Sequence, residues 1–105
     1  MKKTLVLDIK KLSKFTEKKP YKKVLWEGEA ARIALIGIKP GQVIEPHSHD
    51  GNHIWIVMEG NGEFLAEGKK PKAIGPGQIF VVPDGEHHGI RNATRKNLVL
   101  ASITA

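Results

Sequence analysis

Residues 47 to 53 read HSHDGNH, placing three of the chain's five histidines within seven positions. The other two, His87 and His88, are adjacent. Neutral imidazole is the commonest protein ligand for first-row metals, and Zn, Fe, Mn, Ni or Cu accept such nitrogens. His47 and His49 are two residues apart. On an extended chain, positions i and i+2 point to one face, so both rings can approach one ion from one strand. Asp50-Gly51-Asn52 is turn-prone and returns the chain at His53, which opens the next strand-like run. His88 follows a Pro83-Asp84-Gly85 turn at the start of a later run. The alternative is a set of ordinary exposed or hydrogen-bonded histidines; the compact arrangement weighs toward one shared site. The chain has no cysteine, which excludes disulfides and leaves nitrogen and oxygen as the main ligand types.

These side chains need rigid elements to hold them. From Val24 onward glycine and proline cut the chain at short intervals. Between them lie ARIALIGI, HIWIVMEG, EFLAE, QIFVVP and LVLASITA, rich in β-branched residues and without a helical period. Strands at this spacing predict an all-β sandwich or barrel. Asn61-Gly62 predicts a hairpin, because a two-residue turn demands positive φ. Pro83-Asp84-Gly85 predicts a second tight turn. PGQVIEPHSH from Pro40 and PGQIFVVPDGEHH from Pro76 repeat one order: turn, Gln, apolar strand, Pro, His. Two such halves pairing in a barrel would bring their histidines to one place.

With 105 residues the chain has room for one small core, and its 40% hydrophobic content is enough to fold it. No apolar run approaches the eighteen or so residues of a membrane span. The N-terminus, MKKTLVLDIKK, starts like a signal peptide. Its apolar stretch stops at Asp8 and no small-residue cleavage site follows, so it is expected to be a first strand of a cytoplasmic protein. The formal charge of +6 resides in residues 10 to 23, which carry seven lysines and one glutamate. A basic arm can bind nucleic acid. Here it has Phe15 and Tyr21 but no recognisable nucleic-acid motif, and a solvated edge that discourages aggregation is the expected role.

The glycines, histidines and prolines fall into a longer pattern. Gly41, five residues, His47, one, His49, three, His53, six and Gly60 resemble the first motif of the cupin family, G-x5-HxH-x3,4-E-x6-G. Gly77, five residues, Pro83, one, Gly85, two, His88, three and Asn92 resemble the second, G-x5-PxG-x2-H-x3-N. The sixteen residues between Gly60 and Gly77 are similar to the short intermotif segment of single-domain microbial cupins. The resemblance implies one domain over 1–105, a double-stranded β-helix or jelly-roll barrel, with motif 1 at 41–60 and motif 2 at 77–92. It also implies one divalent transition metal ion (Mn, Fe, Ni, Cu or Zn) on His47, His49, His53 and His88. His53 stands where the family usually has glutamate, as in the smaller set of four-histidine cupins. Four neutral ligands leave the ion's full charge in place and favour anionic partners such as an enolate or a carboxylate. His87 falls on the opposite face of its strand.

Alternation extends the expectation to the walls. With His53 inward, Trp55 and Val57 face inward, and with His88 inward, so do Ile90 and Asn92. These four are the expected substrate pocket, although a tryptophan at such a position is commonly plain core. Either Ile79 and Val81 or Phe80 and Val82 supply another wall. Glu45 and Glu63 are expected to be solvated, leaving no dedicated general base. Ile54, Ile56 and Met58 form an outward face too apolar for solvent, which predicts a homodimer. The resemblance implies a metal-dependent oxygenase of the dioxygenase type acting on a small enolisable or anionic molecule. The alternatives are a module that binds a small ligand without transforming it, and a Lewis-acid isomerase or hydrolase.

Overall fold

The computed structural model describes residues 3–48, 50–66 and 68–105. The described residues form nine strands: β1 Tyr21–Glu27, β2 Arg32–Ile38, β3 Val43–His47, β4 His53–Glu59, β5 Gly62–Ala66, β6 Lys72–Ile74, β7 Ile79–Val82, β8 His88–Arg91 and β9 Leu98–Thr104. All ladders are antiparallel. A five-stranded sheet runs β1-β2-β9-β4-β7 and a four-stranded sheet runs β3-β8-β5-β6. Apart from the paired neighbours β1–β2 and β5–β6, strands adjacent in sequence switch sheets, the connectivity of a jelly-roll barrel. The core between the sheets is Ile36, Ile38, Trp55, Val57, Ile74, Ile90, Leu98 and Leu100. Among the described residues, no helix is long and apolar enough to cross a membrane.

The repeat seen in the sequence is structural. Pro40-Gly41 and Pro76-Gly77 form equivalent turns, with φ of 84° at Gly41 and 86° at Gly77. Gln42 Oε1 accepts from the Lys39 N–H at 2.8 Å, and Gln78 Oε1 accepts from the Gly75 N–H at 2.7 Å. After the first turn the chain pairs with β8, the Gly41 N–H donating to the Asn92 carbonyl at 2.8 Å. After the second it pairs with β4, the Gly77 N–H donating to the Val57 carbonyl at 2.9 Å. Each half-motif therefore pairs with a strand of the other motif, and the histidines meet at one end of the barrel.

Two expected elements differ. No strand forms among residues 3 to 8. Asp8 Oδ1 accepts from the backbone N–H of Lys10 and Lys11, capping a one-turn helix, α1 Ile9–Leu12. Capping by Asp8 fixes the start of that turn of helix locally. Asn61-Gly62 is not a hairpin turn, because β4 and β5 lie in different sheets. The positive φ falls on Gly60, at 83°, where an added Cβ would lie 2.2 Å from the Asn97 carbonyl oxygen. Gly62 is needed for space: a Cβ there would lie 2.6 Å from Leu98 Cδ2. Close passage between sheets, not hairpin twist, selects these glycines.

The two kinds of glycine should separate on mutation. At Gly77 nothing lies within 4 Å of an added Cβ, so Gly77→Ala bears only left-handed strain, about 1–2 kcal/mol. Gly60→Ala bears the same strain plus the Asn97 clash and should cost about 3 kcal/mol or more. Urea unfolding of both variants checks the order.

Candidate metal centre and adjoining cavity

Three strands deliver three histidines to one end of the barrel. His47 ends β3, His53 opens β4 and His88 opens β8. His47 and His88 are cross-strand partners. The β3–β8 ladder pairs Ile44 with Ile90 and His47 with His88, so β3 spends one residue more than β8 over this interval. The extra residue is a bulge at Glu45-Pro46, and proline belongs in such a break because it has no N–H to donate. Gly89 permits the close approach, since an added Cβ would lie 2.2 Å from the Ile44 carbonyl oxygen. The bulge allows Ile44 and His47, three residues apart, to line the same cavity.

The rings are held by their own backbones. His47 Nδ1 lies 2.7 Å from the Glu45 carbonyl oxygen, and His88 Nδ1 lies 3.0 Å from that of Glu86. A carbonyl only accepts, so each Nδ1 carries the proton and each Nε2 keeps a lone pair. His88 Nε2 is 3.3 Å from His53 Nδ1, and the two ring centroids are 4.9 Å apart. The His47 ring stacks on that of His88 at 5.4 Å. His53 and His88 are buried. Burial pushes the His88 pKa below 6.5; its bond to Glu86 opposes this, and charge on His47 and His87 reinforces it. His88 is therefore a neutral donor at neutral pH.

The loops beside the histidines clasp each other. Asp84 Oδ1 accepts from the Gly51 N–H at 2.9 Å, and Asn52 Oδ1 accepts from the Asp84 N–H at 3.1 Å. The Pro83-Asp84-Gly85 turn forms as expected, with φ of 83° at Gly85 and the Glu86 N–H bonded to the Pro83 carbonyl. Among the described residues, no three His, Cys, Asp or Glu side chains are grouped as ligands around one ion. His49, the fourth expected ligand, lies outside the described residues. Two imidazoles tied at Nδ1, with a third in contact, nevertheless suit a transition metal by donor type. Metal-bound histidine is commonly held by just such a second hydrogen bond.

A cavity of about 240 Å³ adjoins the histidines. His47, His53 and Trp55 line it beside Ile36, Ile44 and Ser102. Trp55 is both wall and core: it is buried, touches the His88 ring at 4.8 Å and donates from Nε1 to Ser102 Oγ at 3.1 Å. Of the other expected pocket residues, Val57 and Ile90 lie inside the core cluster and not on the cavity wall. Asn92 is committed elsewhere. Its Nδ2 donates to the Ile38 and Lys96 carbonyls and its Oδ1 accepts from Thr94, so it clamps the β8–β9 turn. The strand β7 turns Phe80 and Val82 inward and leaves Ile79 and Val81 exposed. His87 is exposed. Glu45 is exposed as expected, but Glu63 is half-buried and takes Arg91 Nε and Nη2 at 2.9 and 2.7 Å.

Ser102 and two lysines of the cavity wall, Lys19 and Lys22, were not anticipated. Alternation along LVLASITA puts Leu98, Leu100 and Ser102 on one face, so that signal was present. Nothing in the sequence separates Lys22 from its neighbouring lysines.

A two-sheet β-barrel with histidines from both halves of an internal repeat defines the class. The cupin domain family matches residues 34–104, and the chain belongs to it. In sequence the chain is 35% identical over 54 residues to dimethylsulfoniopropionate lyase DddQ of Ruegeria pomeroyi. That stretch is 51% of this chain but only 27% of the lyase. The solved structure of the lyase superposes with a TM-score of 0.74 at 23% identity, covering 82% of this chain and 46% of that one. An uncharacterized double-stranded β-helix protein of Klebsiella pneumoniae superposes with a TM-score of 0.91 at 21% identity, over 98% of this chain and 90% of that one. The protein TT1209 of Thermus thermophilus gives 0.87 at 27% identity over 95% of each chain.

The lowered pKa of His88 has a consequence for stability. In metal-stripped protein the unfolded chain takes up a proton near pH 6.5 that folded His88 refuses until lower pH. This contribution is whole above 6.5 and lost as pH falls below it. Thermal unfolding in a chelator should show stability declining from pH 7.5 to 5.5, and His88→Gln should flatten the slope.

Proposed function

We propose that this cupin is a metal-dependent enzyme for a small anionic organic substrate. His47, His53 and His88 would hold one divalent transition metal ion, with His49 as fourth ligand by its i, i+2 spacing from His47. The observation that carries the reading is the pair of imidazoles tied through Nδ1 to Glu45 and Glu86, next to a cavity of suitable size. When bound, such an ion supplies Lewis-acid polarisation, undiminished by any carboxylate ligand. The chain's own residues bind and orient. Ile36, Ile44 and Trp55 exclude water from one side of the substrate, and Ser102 fixes the Trp55 ring. No carboxylate is among the described residues lining the cavity.

The relative named as a lyase acts on a propionate, which favours Lewis-acid chemistry at a carbon near a carboxylate. The all-neutral donor set favours a second reading, a dioxygenase acting on an enolisable substrate. Elemental analysis should find near-stoichiometric Mn, Fe, Ni, Cu or Zn. Outer hydrogen-bond partners alone are worth about 10–100-fold in metal affinity, so His53→Ala and His88→Ala should lose at least that. Reloaded protein is then assayed with dimethylsulfoniopropionate and a dicarbonyl panel, with O2 uptake followed in parallel. Turnover without O2 uptake supports the Lewis-acid reading, and O2 uptake the oxygenase. Metal without any turnover makes the protein a binding module, and no metal after reloading removes the proposal.

We also propose a homodimer through the outer face of the five-stranded sheet. Ile54 pairs with Val81 and Ile56 with Ile79, and Ile79 and Val81 are 61% and 64% exposed. Together with Met58 they make a contiguous apolar patch of the kind that marks an interface. Light scattering at micromolar concentration should give twice the 11.6 kDa chain mass. Val81→Lys should give the monomer with its β-sheet circular dichroism unchanged.

A further inference from the structure

The lysine-rich segment is a built part of the barrel, not a loose arm. Its backbone rests directly on β2, where a Cβ at Gly37 would lie 2.1 Å from the Lys14 carbonyl oxygen and 3.0 Å from the Phe15 ring. Gln42 Nε2 donates to the carbonyls of Thr16 at 2.7 Å and Glu17 at 3.3 Å. Glu17 pairs with Lys39, and Thr16 Oγ1 closes a turn onto the Lys19 carbonyl at 2.6 Å. These ties lead the chain through Lys19 and Pro20 along the cavity wall and into β1.

Register then decides which lysine of β1 turns inward. Lys22 is the cross-strand partner of Ile36, which pairs with Leu100, which pairs with Val57. Cross-strand partners share a face. Ile36, Leu100 and Val57 are all core, so Lys22 occupies the inward row and lines the histidine cavity at its mouth. Partial burial, and secondarily the charge of Arg32, lower the Lys22 pKa from 10.5. Lys22 as a whole remains exposed, so its ammonium sits at the solvent edge of the cavity, and no carboxylate is among the described cavity residues to pair with it.

We propose that Lys22, with Lys19 beside it, is the anion anchor of this site, and that the ligand it takes is a small aliphatic carboxylate. The inference rests on the proposed function and names its substrate class. The cavity chooses carboxylate over phosphate. At about 240 Å³ it holds the volume of about eight waters, and Ile36, Val43, Ile44 and Trp55 make most of its wall apolar. A monoanionic carboxylate with an alkyl tail suits this mostly apolar wall, whereas a phosphate, more highly charged and polar on every side, would leave oxygens against Ile36, Val43 and Ile44 without donors. The ammonium at the mouth and the histidines within would hold a short carboxylate with its reacting carbon between them. An inward charge on an edge strand also discourages sheet-to-sheet aggregation. That role alone would confer no preference for an anion over its neutral isostere.

The test is an amide NMR titration of the protein with propionate, propionamide and inorganic phosphate, run both zinc-loaded and in chelator. Propionate should shift the amides of Ile36, Val43 and Trp55 and bind at least about tenfold tighter than propionamide. Lys22→Met should weaken propionate about tenfold and leave propionamide unchanged, and Lys22→Arg should retain most of the propionate affinity. Equal affinity for propionate and propionamide in the wild-type protein overturns the proposal without recourse to any variant. So does propionate binding unchanged in Lys22→Met, or phosphate binding tighter than propionate. Lys22-dependent propionate binding in chelator upholds the anchor even if elemental analysis finds no metal. Propionate binding that needs zinc and ignores Lys22 upholds the metal site and overturns the anchor.

Discussion

The bulge at Glu45-Pro46 is the constraint on which the site depends. Side chains on a strand alternate with a period of two, so Ile44 and His47 would fall on opposite faces of a regular β3. The bulge absorbs one residue, and both then reach the cavity. It also sets His47 opposite His88, each ring held through Nδ1 by a carbonyl two residues back in its own chain segment. A slip of one residue in β8 would exchange buried His88 for exposed His87. Gly89 guards the register, because only a residue without Cβ fits against the Ile44 carbonyl.

The sequence was legible where chemistry is local. The Pro-Gly-Gln turns, the Pro83-Asp84-Gly85 turn and the inward alternation of His53, Trp55 and Val57 depend on neighbouring residues alone. All take the expected form. Elsewhere the local signal gave a side chain's face or a turn's chemistry but not the partners that the fold supplies. Asn61-Gly62 has hairpin chemistry, but its strands belong to different sheets and the glycines serve the Asn97 and Leu98 contacts. Asn92 faces inward by alternation, yet three backbone groups and Thr94 claim its amide. Val57 and Ile90 face inward too and join the core cluster, while Ile36 and Ile44, in the same cross-strand rows, are the residues that line the cavity. Alternation reports the face of a strand; it does not report which inward side chain meets the cavity.

The N-terminal segment shows the same limit in another form. Its composition reads as solvated charge, and all seven of its lysines are indeed exposed. What composition cannot carry is the docking by Gly37 and Gln42, two residues distant in sequence that give the segment one path. Gln42 belongs to the first Pro-Gly-Gln turn, so a turn that positions a histidine strand also straps down the lysines. Its counterpart Gln78 makes the equivalent turn bond to Gly75. The two halves of the barrel thus repeat a turn, and the first half also anchors the segment that closes the cavity.

Electrostatics then unites the two halves. Neutral imidazoles bring no negative charge to the cavity, and the described cavity residues include two lysines and no carboxylate. Any divalent ion held there would deepen this imbalance. Lys19 and Lys22 stand exposed at the edge of the cavity, and the lowered pKa of Lys22 has partial desolvation first and Arg32 second as its causes. The imbalance is relieved by an anion small enough for the space and apolar enough for Ile36, Val43 and Trp55. Replacing glutamate by His53 at the motif position is therefore not an isolated change of ligand. With any ion held on the histidines it would leave more positive charge at one end of a cavity whose other end already presents Lys19 and Lys22.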